Sequence, residues 1–292
     1  MKSRFEEFHP LVSFIFFVLA LSLFILMIHP VFLLLGLIFI LIINITYRSI
    51  EQLRQWAAFM IISSLFIFLL NPLFNERGRH VLFVFHQHRI TAESLVYGGM
   101  SALSLVVIMA MFVSYNKIMT PNKLLFLFSK ILPQFAVLLM LTLRFIPLMK
   151  RRLDEISSIQ LSKGISVLHG PLNKRVKTGL LYVQVLLTYS LEEAIQTADS
   201  MKAREYGKGL RSSYEYFKFK KRDGLALVYL LLFYLLILSG RFNGFGHLTV
   251  YPIMESWQLG TGDIRIMVFY CLFLGFPLLI ELGGYFRWRI LN

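Results

Sequence analysis

Two cations at the ends of helix-like segments are the residues of this chain best placed to do chemistry. Lys163 and Arg204 lie 41 residues apart, and glycine follows each within three residues. The tripeptides that contain them are Ser162-Lys163-Gly164 and Ala203-Arg204-Glu205. A cation in the last turn of a helix can be ordinary capping, because it offsets the negative end of the helix dipole. On an exposed tip it can instead bind an acidic group of a partner.

Histidines in the loop at 73–93 form the nearest approach to a metal site. The cluster comprises His80, His86 and His88, with Glu76 and Glu93 near them in sequence. His86 and His88 would share one face of a strand, and three histidines suit zinc, nickel or copper. A solvated loop with incidental histidines explains the same residues more simply. We favour that interpretation and keep the three histidines as weak metal candidates.

The chain lacks the sequence motifs of common catalytic centres. Gly207-Lys208-Gly209 has neither the upstream glycine nor the Lys-Ser/Thr ending of a phosphate-binding loop. Neither a His-Glu-x-x-His nor a Gly-x-Ser-x-Gly motif occurs. Cys271 is the single cysteine, which excludes an internal disulfide framework. We therefore expect no catalytic residue and no cofactor on this chain.

The elements that position these residues are those of a membrane protein. Of the 292 residues, 57% are hydrophobic and only 16% are charged, yet the net charge is +14. This composition is too apolar for a soluble domain, and six runs approach the length that spans a bilayer. The runs are 11–28, 30–47, 56–72, 94–115, 224–240 and 265–285. We predict an all-α polytopic membrane protein with about six transmembrane helices.

The positions of Lys and Arg predict the orientation, since cytoplasmic loops carry the excess of these residues. The cations near both ends and after the second and fourth spans place both termini in the cytoplasm. The loop at 73–93 fits least well, because it carries three arginines on the outer side. A seventh apolar run, 133–149, contains Arg144 and Pro147, and the sequence leaves open whether it crosses, re-enters or stays near the cytoplasm. We expect Arg144 to form a structural pair at the membrane boundary.

A polar insert precedes the last two spans. Residues 150–222 contain 15 Lys or Arg and 7 Asp or Glu, which is more than half of the net charge. Apolar periodicity predicts one helix that ends near Gly164 and another from about 180 to 205. We predict cytoplasmic or membrane-proximal coupling helices at 133–222, between membrane regions at 1–132 and 223–292. The basic run at 218–222 lies just before a span, which favours contact with anionic lipid over nucleic acid.

At these residues the chain resembles the transmembrane T component of energy-coupling factor (ECF) transporters for vitamins and metals, a group that includes the cobalt-transport permease. The resemblance is strongest over about 133–210. The matching segments are Leu143-Arg144-Phe145-Ile146-Pro147, Ser190-Leu191-Glu192-Glu193-Ala194 and the run from Ala198 through Met201 to Ala203-Arg204. The family pattern ends each of two helices in Ala-Arg-Gly. Here lysine replaces arginine in the first motif, and glutamate replaces glycine in the second.

The resemblance implies a non-catalytic coupling subunit in a bacterial or archaeal cell membrane. It implies that the two motifs, at Ser162, Lys163 and Gly164 and at Ala203, Arg204 and Glu205, end coupling helices. Each helix end would bind one of two cytoplasmic ATPase subunits, which hold ATP and magnesium. A membrane S component would bind the substrate, a vitamin or a transition-metal ion. From the residues alone, an intramembrane metal-dependent enzyme and a membrane scaffold without a transport role remain alternatives.

Overall fold

The computed structural model describes residues 4–75, 78–85, 88–129, 131–165, 167, 171–209, 217–251, 255 and 257–291. Within this part of the chain, ten α-helices accompany a 3-10 turn at Phe5–Glu7 and one β-hairpin. The helices are α1 (Pro10–Leu26), α2 (Pro30–Thr46), α3 (Ile50–Phe74), α4 (Ala92–Ile118), α5 (Pro121–Ser129), α6 (Pro133–Ser162), α7 (Leu172–Ala203), α8 (Lys221–Phe242), α9 (Thr261–Leu274) and α10 (Phe276–Leu291). The strands are β1 (Val81–Phe85) and β2 (His88–Thr91). The predicted all-α class is confirmed, and the hairpin is a small addition to it.

The helices divide into two compact units. The first unit comprises 1–124 together with 217–292, and the second comprises 125–216. The first therefore contains α1 to α4, the hairpin and α8 to α10, whereas α6 and α7 belong to the second. These limits lie close to the predicted insert at 133–222.

The long apolar helices correspond to the predicted spans. α3, α4 and α8 are long and apolar enough to cross a membrane, and they contain the predicted spans 56–72, 94–115 and 224–240. α1 and α2 are equally apolar but have 17 residues each, which is the short limit for crossing. α6 also qualifies, so the described residues contain four candidate spans, or five with α9 and α10 as one broken span. The predicted number of about six is thus approximate.

The predicted span at 265–285 is not a straight helix. α9 and α10 meet at an angle of 54°, with Gly275 between them as the C-cap of α9. Pro277 lacks the N–H that would bond the carbonyl of Phe273, so the helix cannot continue regularly through this point. A hydrophobic run alone does not reveal such a break, although Gly275 and Pro277 are visible in the sequence as its cause.

Two His-Pro pairs begin the first two helices. The Nδ1 atom of His9 accepts a hydrogen bond from the Leu11 N–H at 3.2 Å, and that of His29 accepts one from the Val31 N–H at 3.3 Å. The proline that follows each histidine is favourable at the first helical position, since its missing N–H would have no helical partner. Each histidine therefore acts as an N-cap, and His29 also separates the apolar runs 11–28 and 30–47 into distinct helices.

Aromatic packing joins the N-terminal segment of the first unit to its last helices. Phe5 is fully buried and meets Phe16 edge-on with ring centroids 5.7 Å apart. Phe16 in turn stacks on Phe273 at 5.7 Å. Such pairs contribute about 0.5–1.5 kcal/mol beyond the burial of their area. The many phenylalanines of this chain thus form a core within the unit as well as a surface for lipid.

The hairpin is tied to α4 by a buried carboxylate. β1 pairs with β2 in antiparallel register, and Glu93 lies in the first turn of α4 with only 1% of its surface exposed. Its Oε1 accepts hydrogen bonds from the backbone N–H groups of Arg79 and His80 at 3.1 and 3.2 Å. The same oxygen lies 2.9 Å from His80 Nδ1. Glu93 therefore fixes the segment that leads into the hairpin.

We expect the His29 cap to make stability depend on pH. Burial lowers the pKa of His29, against the opposing effect of Asp263, so the fold favours the neutral ring. Stability is then complete above the unfolded pKa of about 6.5 and is lost as the pH falls below it. Thermal unfolding at pH 7.5 and 5.5 measures the loss. His29→Asn keeps a capping oxygen that does not titrate, so an unchanged pH dependence in that variant would contradict this assignment.

Candidate functional site

The first predicted motif forms the end of α6. Lys163 is the C-cap, and Gly164 follows in the left-handed region with φ of +73°. The Gly164 N–H donates to the Leu161 carbonyl at 2.9 Å, and the Ile165 N–H donates to the Gln160 carbonyl at 2.9 Å. These two bonds make a Schellman motif, which satisfies carbonyls that the helix leaves without partners. The lysine therefore occupies a defined position on a closed helix end.

The second motif forms the end of α7 in the same geometry. Arg204 is the C-cap, and Glu205 follows in the left-handed region with φ of +52°. The Glu205 N–H donates to the Lys202 carbonyl at 2.9 Å, and the Tyr206 N–H donates to the Met201 carbonyl at 3.0 Å. Arg204 corresponds to Lys163 and Glu205 to Gly164, position for position. We call these two helix ends the basic tips.

Both basic tips present their cations to the surroundings of the chain. Lys163 and Arg204 are exposed, as are Ser162 and Ala203 beside them. Within the described residues, neither cation has a hydrogen-bond or ion-pair partner on its side chain. Each lies where the carbonyl dipoles of its helix end in a negative partial charge, which favours a cation there. Both tips are thus exposed, and their cations have no side-chain partner in the part of the chain that the structure describes.

Glu205 is conformationally unusual, because residues other than glycine avoid the left-handed region. Arg48, at the end of α2, has a similar φ of +53°. Its turn is held by buried Ser49, whose Oγ donates to the Asn44 carbonyl and side-chain oxygen at 3.1 and 2.9 Å. Around Glu205 the neighbours are exposed, and among the described residues its side chain makes only a surface ion pair, with Lys208 at 3.1 Å. The strain at the second tip therefore lacks comparable support from buried contacts.

Glu205→Gly, which restores the family pattern, is expected to stabilise the end of α7. The change removes the conformational penalty of the left-handed region, which is about 1 kcal/mol. Glycine also raises the conformational entropy of the unfolded chain, which offsets part of this stabilisation. Amide hydrogen exchange at 205 and 206 should slow by about two- to fivefold as a result. The converse change, Gly164→Ala, should speed exchange at 164 and 165. An added Cβ would meet no neighbouring atom there, so the destabilisation comes from the positive φ alone. Faster exchange in Glu205→Gly would contradict the strain argument.

α6 and α7 pack together in opposite directions within the second unit. The Ser190 hydroxyl lies 2.8 Å from the Met149 sulfur, and the Arg152 guanidinium lies 5.9 Å from the ring centroid of Tyr189. Just beyond the end of α6, the Ile165 carbonyl accepts a hydrogen bond from the Tyr182 hydroxyl at 3.2 Å. The residue numbers of the contacting partners on α7 thus decrease as those on α6 increase, which shows that the two helices are antiparallel.

This packing separates the two basic tips. Tyr182 contacts the carbonyl of Ile165, two residues beyond Lys163. Arg204 lies 22 residues further along α7, which corresponds to about 33 Å of helix. The cations therefore occupy distant ends of one helical pair and cannot form a common binding site for a small ligand.

The segment with Arg144 and Pro147 is part of α6. The helix runs without interruption from Pro133 to Ser162 and includes Pro147 in its interior. Arg144 and Pro147 are both exposed, and no hydrogen bond or ion pair of Arg144 occurs among the described residues. The structural pair predicted for Arg144 is therefore not found within the described part of this chain. The apolar run at 133–149 and the first predicted coupling helix are one continuous element.

The predicted histidine cluster is only partly described. His80 pairs with Glu93, which accounts for that carboxylate without a metal. His86 and Glu76 lie outside the described residues, and of His88 the structure describes only the backbone, in β2. Among the residues that can be searched, no group of three His, Cys, Asp or Glu side chains could hold a metal ion. The three histidines remain weak candidates.

Sequence reasoning located both cations and matched Glu205 to a glycine of the family pattern, but it missed that Glu205 and Gly164 follow their helices in the same left-handed conformation. The signal was present, because the two residues are separated by the same 41 positions as Lys163 and Arg204. Met149 and Ser190, which touch across the helix pair, also have this separation. The left-handed φ of Glu205 could not be inferred from local preference, because glutamate disfavours that region. It became evident only from the structure of the two helix ends.

Comparison with known proteins identifies a matching family and several similar proteins. The family model described as cobalt transport protein, CbiQ, matches residues 2–216. Similar curated proteins carry the name energy-coupling factor transporter transmembrane protein EcfT. That of Bacillus subtilis (strain 168) is 27% identical over 211 residues, covering 68% of this chain and 79% of its own length. That of Staphylococcus aureus (strain 04-02981) is 23% identical over 210 residues, covering 67% and 78%. That of Bacillus selenitireducens is 28% identical over 183 residues, covering 59% and 68%.

Proposed function

The chain belongs to the CbiQ cobalt transport protein family and is a transmembrane T component of an energy-coupling factor transporter, from which we propose that α6 and α7 pass the motion of two ATPase subunits to a substrate-binding S component. The observation that carries the proposal is the matched geometry of the two basic tips. Each is a closed helix end with an exposed cation, and the two lie far apart on one helical pair.

The separation of the tips suits two ATPase subunits rather than one. About 33 Å of helix between them exceeds the diameter of a single groove that accepts a helix end. Each tip would enter a groove on its own ATPase, where Lys163 or Arg204 pairs with acidic side chains or helix carbonyls. The planar guanidinium of arginine can bind a carboxylate with two parallel hydrogen bonds, whereas the lysine ammonium acts as a point charge, so we expect the second tip to bind more tightly.

Continuity of the helices suits transmission of movement. α6 has 30 residues and α7 has 32, and packed helices of this length move as rigid bodies rather than bending gradually. Displacement of a tip by an ATPase would therefore move the apolar part of α6 as well. ATP and magnesium would be held by the ATPases, since this sequence has no phosphate-binding loop.

Exposed apolar side chains on both helices support a membrane partner. Large apolar residues with at least 40% of their surface exposed lie along α6 and α7. They include Phe135, Leu138, Met140, Leu143, Ile146, Leu180, Leu187, Leu191 and Ile195. A surface of this kind is normally covered by another protein or by lipid. An S component for a vitamin or a transition-metal ion is the partner that this transporter class would supply, with both termini of the present chain in the cytoplasm.

Affinity purification of the tagged chain from its native membrane tests the proposal. We expect two ATPase chains and one small membrane protein to accompany it, and ATP hydrolysis to reside in the ATPases. A membrane scaffold would bring down other proteins without ATPases, and an enzyme would need neither. Purification under gentle conditions that never yields ATPase chains would overturn the proposed role.

A further inference from the structure

An apolar cavity of about 360 Å³ opens in the first unit near the start of α8. Side chains of α8 and α10 line it, among them Leu225, Tyr229, Phe276 and Leu279. Leu225 and Leu279 are 73% and 51% exposed, so the lining is open to the surroundings. The cavity is thus a cleft in the side of the helical unit, at the level of the first two turns of α8.

The bend between α9 and α10 limits the cleft on one side. Tyr229 of α8 donates a hydrogen bond to the Leu272 carbonyl of α9 at 3.0 Å, and its ring stacks on Phe276 with centroids 5.4 Å apart. These contacts hold α8 against the region of the bend. Beyond it, α10 departs at 54° from the direction of α9. The resulting space is elongated between two helices and has apolar walls.

A fixed cation lies in the lining of this cleft. The guanidinium of Arg222 sits 4.9 Å from the ring centroid of Phe8 and donates to the Glu7 carbonyl at 3.0 Å. Its Nε is 3.9 Å from a carboxylate oxygen of buried Asp223. The bond to Glu7 uses one of five N–H groups, and 42% of the side chain is exposed. Arg222 is therefore held in place while donors remain for a ligand.

We propose that this cleft binds an anionic phospholipid, with an acyl chain along α8 and α10 and the phosphate at Arg222. Lys220 and Lys221 are exposed beside it and add positive charge at the same helix end. An apolar cleft with a cation at its head complements an amphiphile with a negative headgroup, and basic residues at the end of a span lie at headgroup level. The site involves neither basic tip, so it stands apart from the coupling role.

Brominated lipids test the site through a tryptophan placed in the cleft, in a background where the three native tryptophans are replaced by phenylalanine. Leu225→Trp in this background is reconstituted in phosphatidylcholine that contains a few per cent of dibrominated phosphatidylglycerol or of dibrominated phosphatidylcholine. We expect half-maximal quenching of the added tryptophan at a mole fraction of dibrominated phosphatidylglycerol at least about fivefold lower than that of dibrominated phosphatidylcholine. Leu235→Trp, at an exposed position of α8 outside the cleft lining, is the matched reporter and should show no preference.

Charge variants in the Leu225→Trp background identify the cations responsible. Arg222→Gln should abolish the preference for phosphatidylglycerol, and Lys221→Gln should weaken it several-fold. The Lys221 side chain makes no hydrogen bond or ion pair among the described residues, so its replacement should leave the fold intact. Arg265→Gln removes an exposed cation from α9, lowers the net charge equally and should leave the preference intact. Equal quenching by the two lipids at Leu225→Trp, or equal losses in all three charge variants, would reduce the site to ordinary bilayer contact and overturn the proposal.

Discussion

Arg204→Glu is expected to release the ATPase at the second basic tip, or to leave ATP hydrolysis running without uptake. Arg204 is exposed at the end of α7 and has no partner among the described residues of its own chain, so the change should spare the first unit. Reversing one member of a desolvated charge pair costs about 2–5 kcal/mol, which weakens binding by about 30-fold or more. Co-purification with the ATPases and uptake in proteoliposomes measure the two effects.

Lys202→Glu is the matched control for this prediction. Lys202 lies in the last turn of α7, is also exposed and carries the same charge, but it is outside the motif. Its reversal perturbs the helix dipole by less than about 1 kcal/mol and should leave the ATPases bound. Arg204→Lys should give an intermediate loss, because the charge stays and the planar group is lost. Normal assembly and normal uptake in Arg204→Glu would show that the second tip is only a helix cap.

Where α2 begins and where α6 and α7 end could be predicted from the sequence, because these features depend on neighbouring residues, whereas α7 begins at Leu172 and not at the predicted position of about 180. The His-Pro pair at 29–30 and the motifs at Lys163 and Arg204 are local signals of this kind. They led to the helix ends that the structure has, and Gly164 occupies the C-cap glycine position that its type predicts.

Features that depend on distant packing were not accessible in the same way. A proline and an arginine interrupt the apolar run at 133–149, yet α6 continues through both. Conversely, the run at 265–285 contains a 54° break. A proline in an apolar run is therefore an ambiguous signal, because it removes one hydrogen bond and can break a helix, yet apolar helices tolerate it where neighbouring groups compensate. The distance between the two basic tips is likewise determined by the packing of α6 against α7.

Glu93→Ala is expected to lower the free energy of unfolding by about 2–4 kcal/mol and to free the hairpin. The buried carboxylate accepts bonds from two backbone N–H groups and lies 2.9 Å from His80 Nδ1. Hydrogen bonds to a charged group contribute about 1.5–3 kcal/mol each, but Arg79 and His80 are exposed and can turn to water, which limits the loss. Thermal unfolding and protease cleavage within 78–91 measure the two consequences.

A graded series separates the carboxylate from the histidine that pairs with it. Glu93→Gln keeps the size of the side chain and one accepting oxygen, so its loss should be smaller than that of Glu93→Ala. His80→Ala removes a side chain that is 74% exposed but leaves both backbone bonds, so its effect should be smallest. The reverse order, with His80→Ala the most damaging, would point instead to a histidine-centred site. ATPase binding should persist in all three variants, because the basic tips belong to the other compact unit; its loss would show that the hairpin anchor also supports the coupling helices.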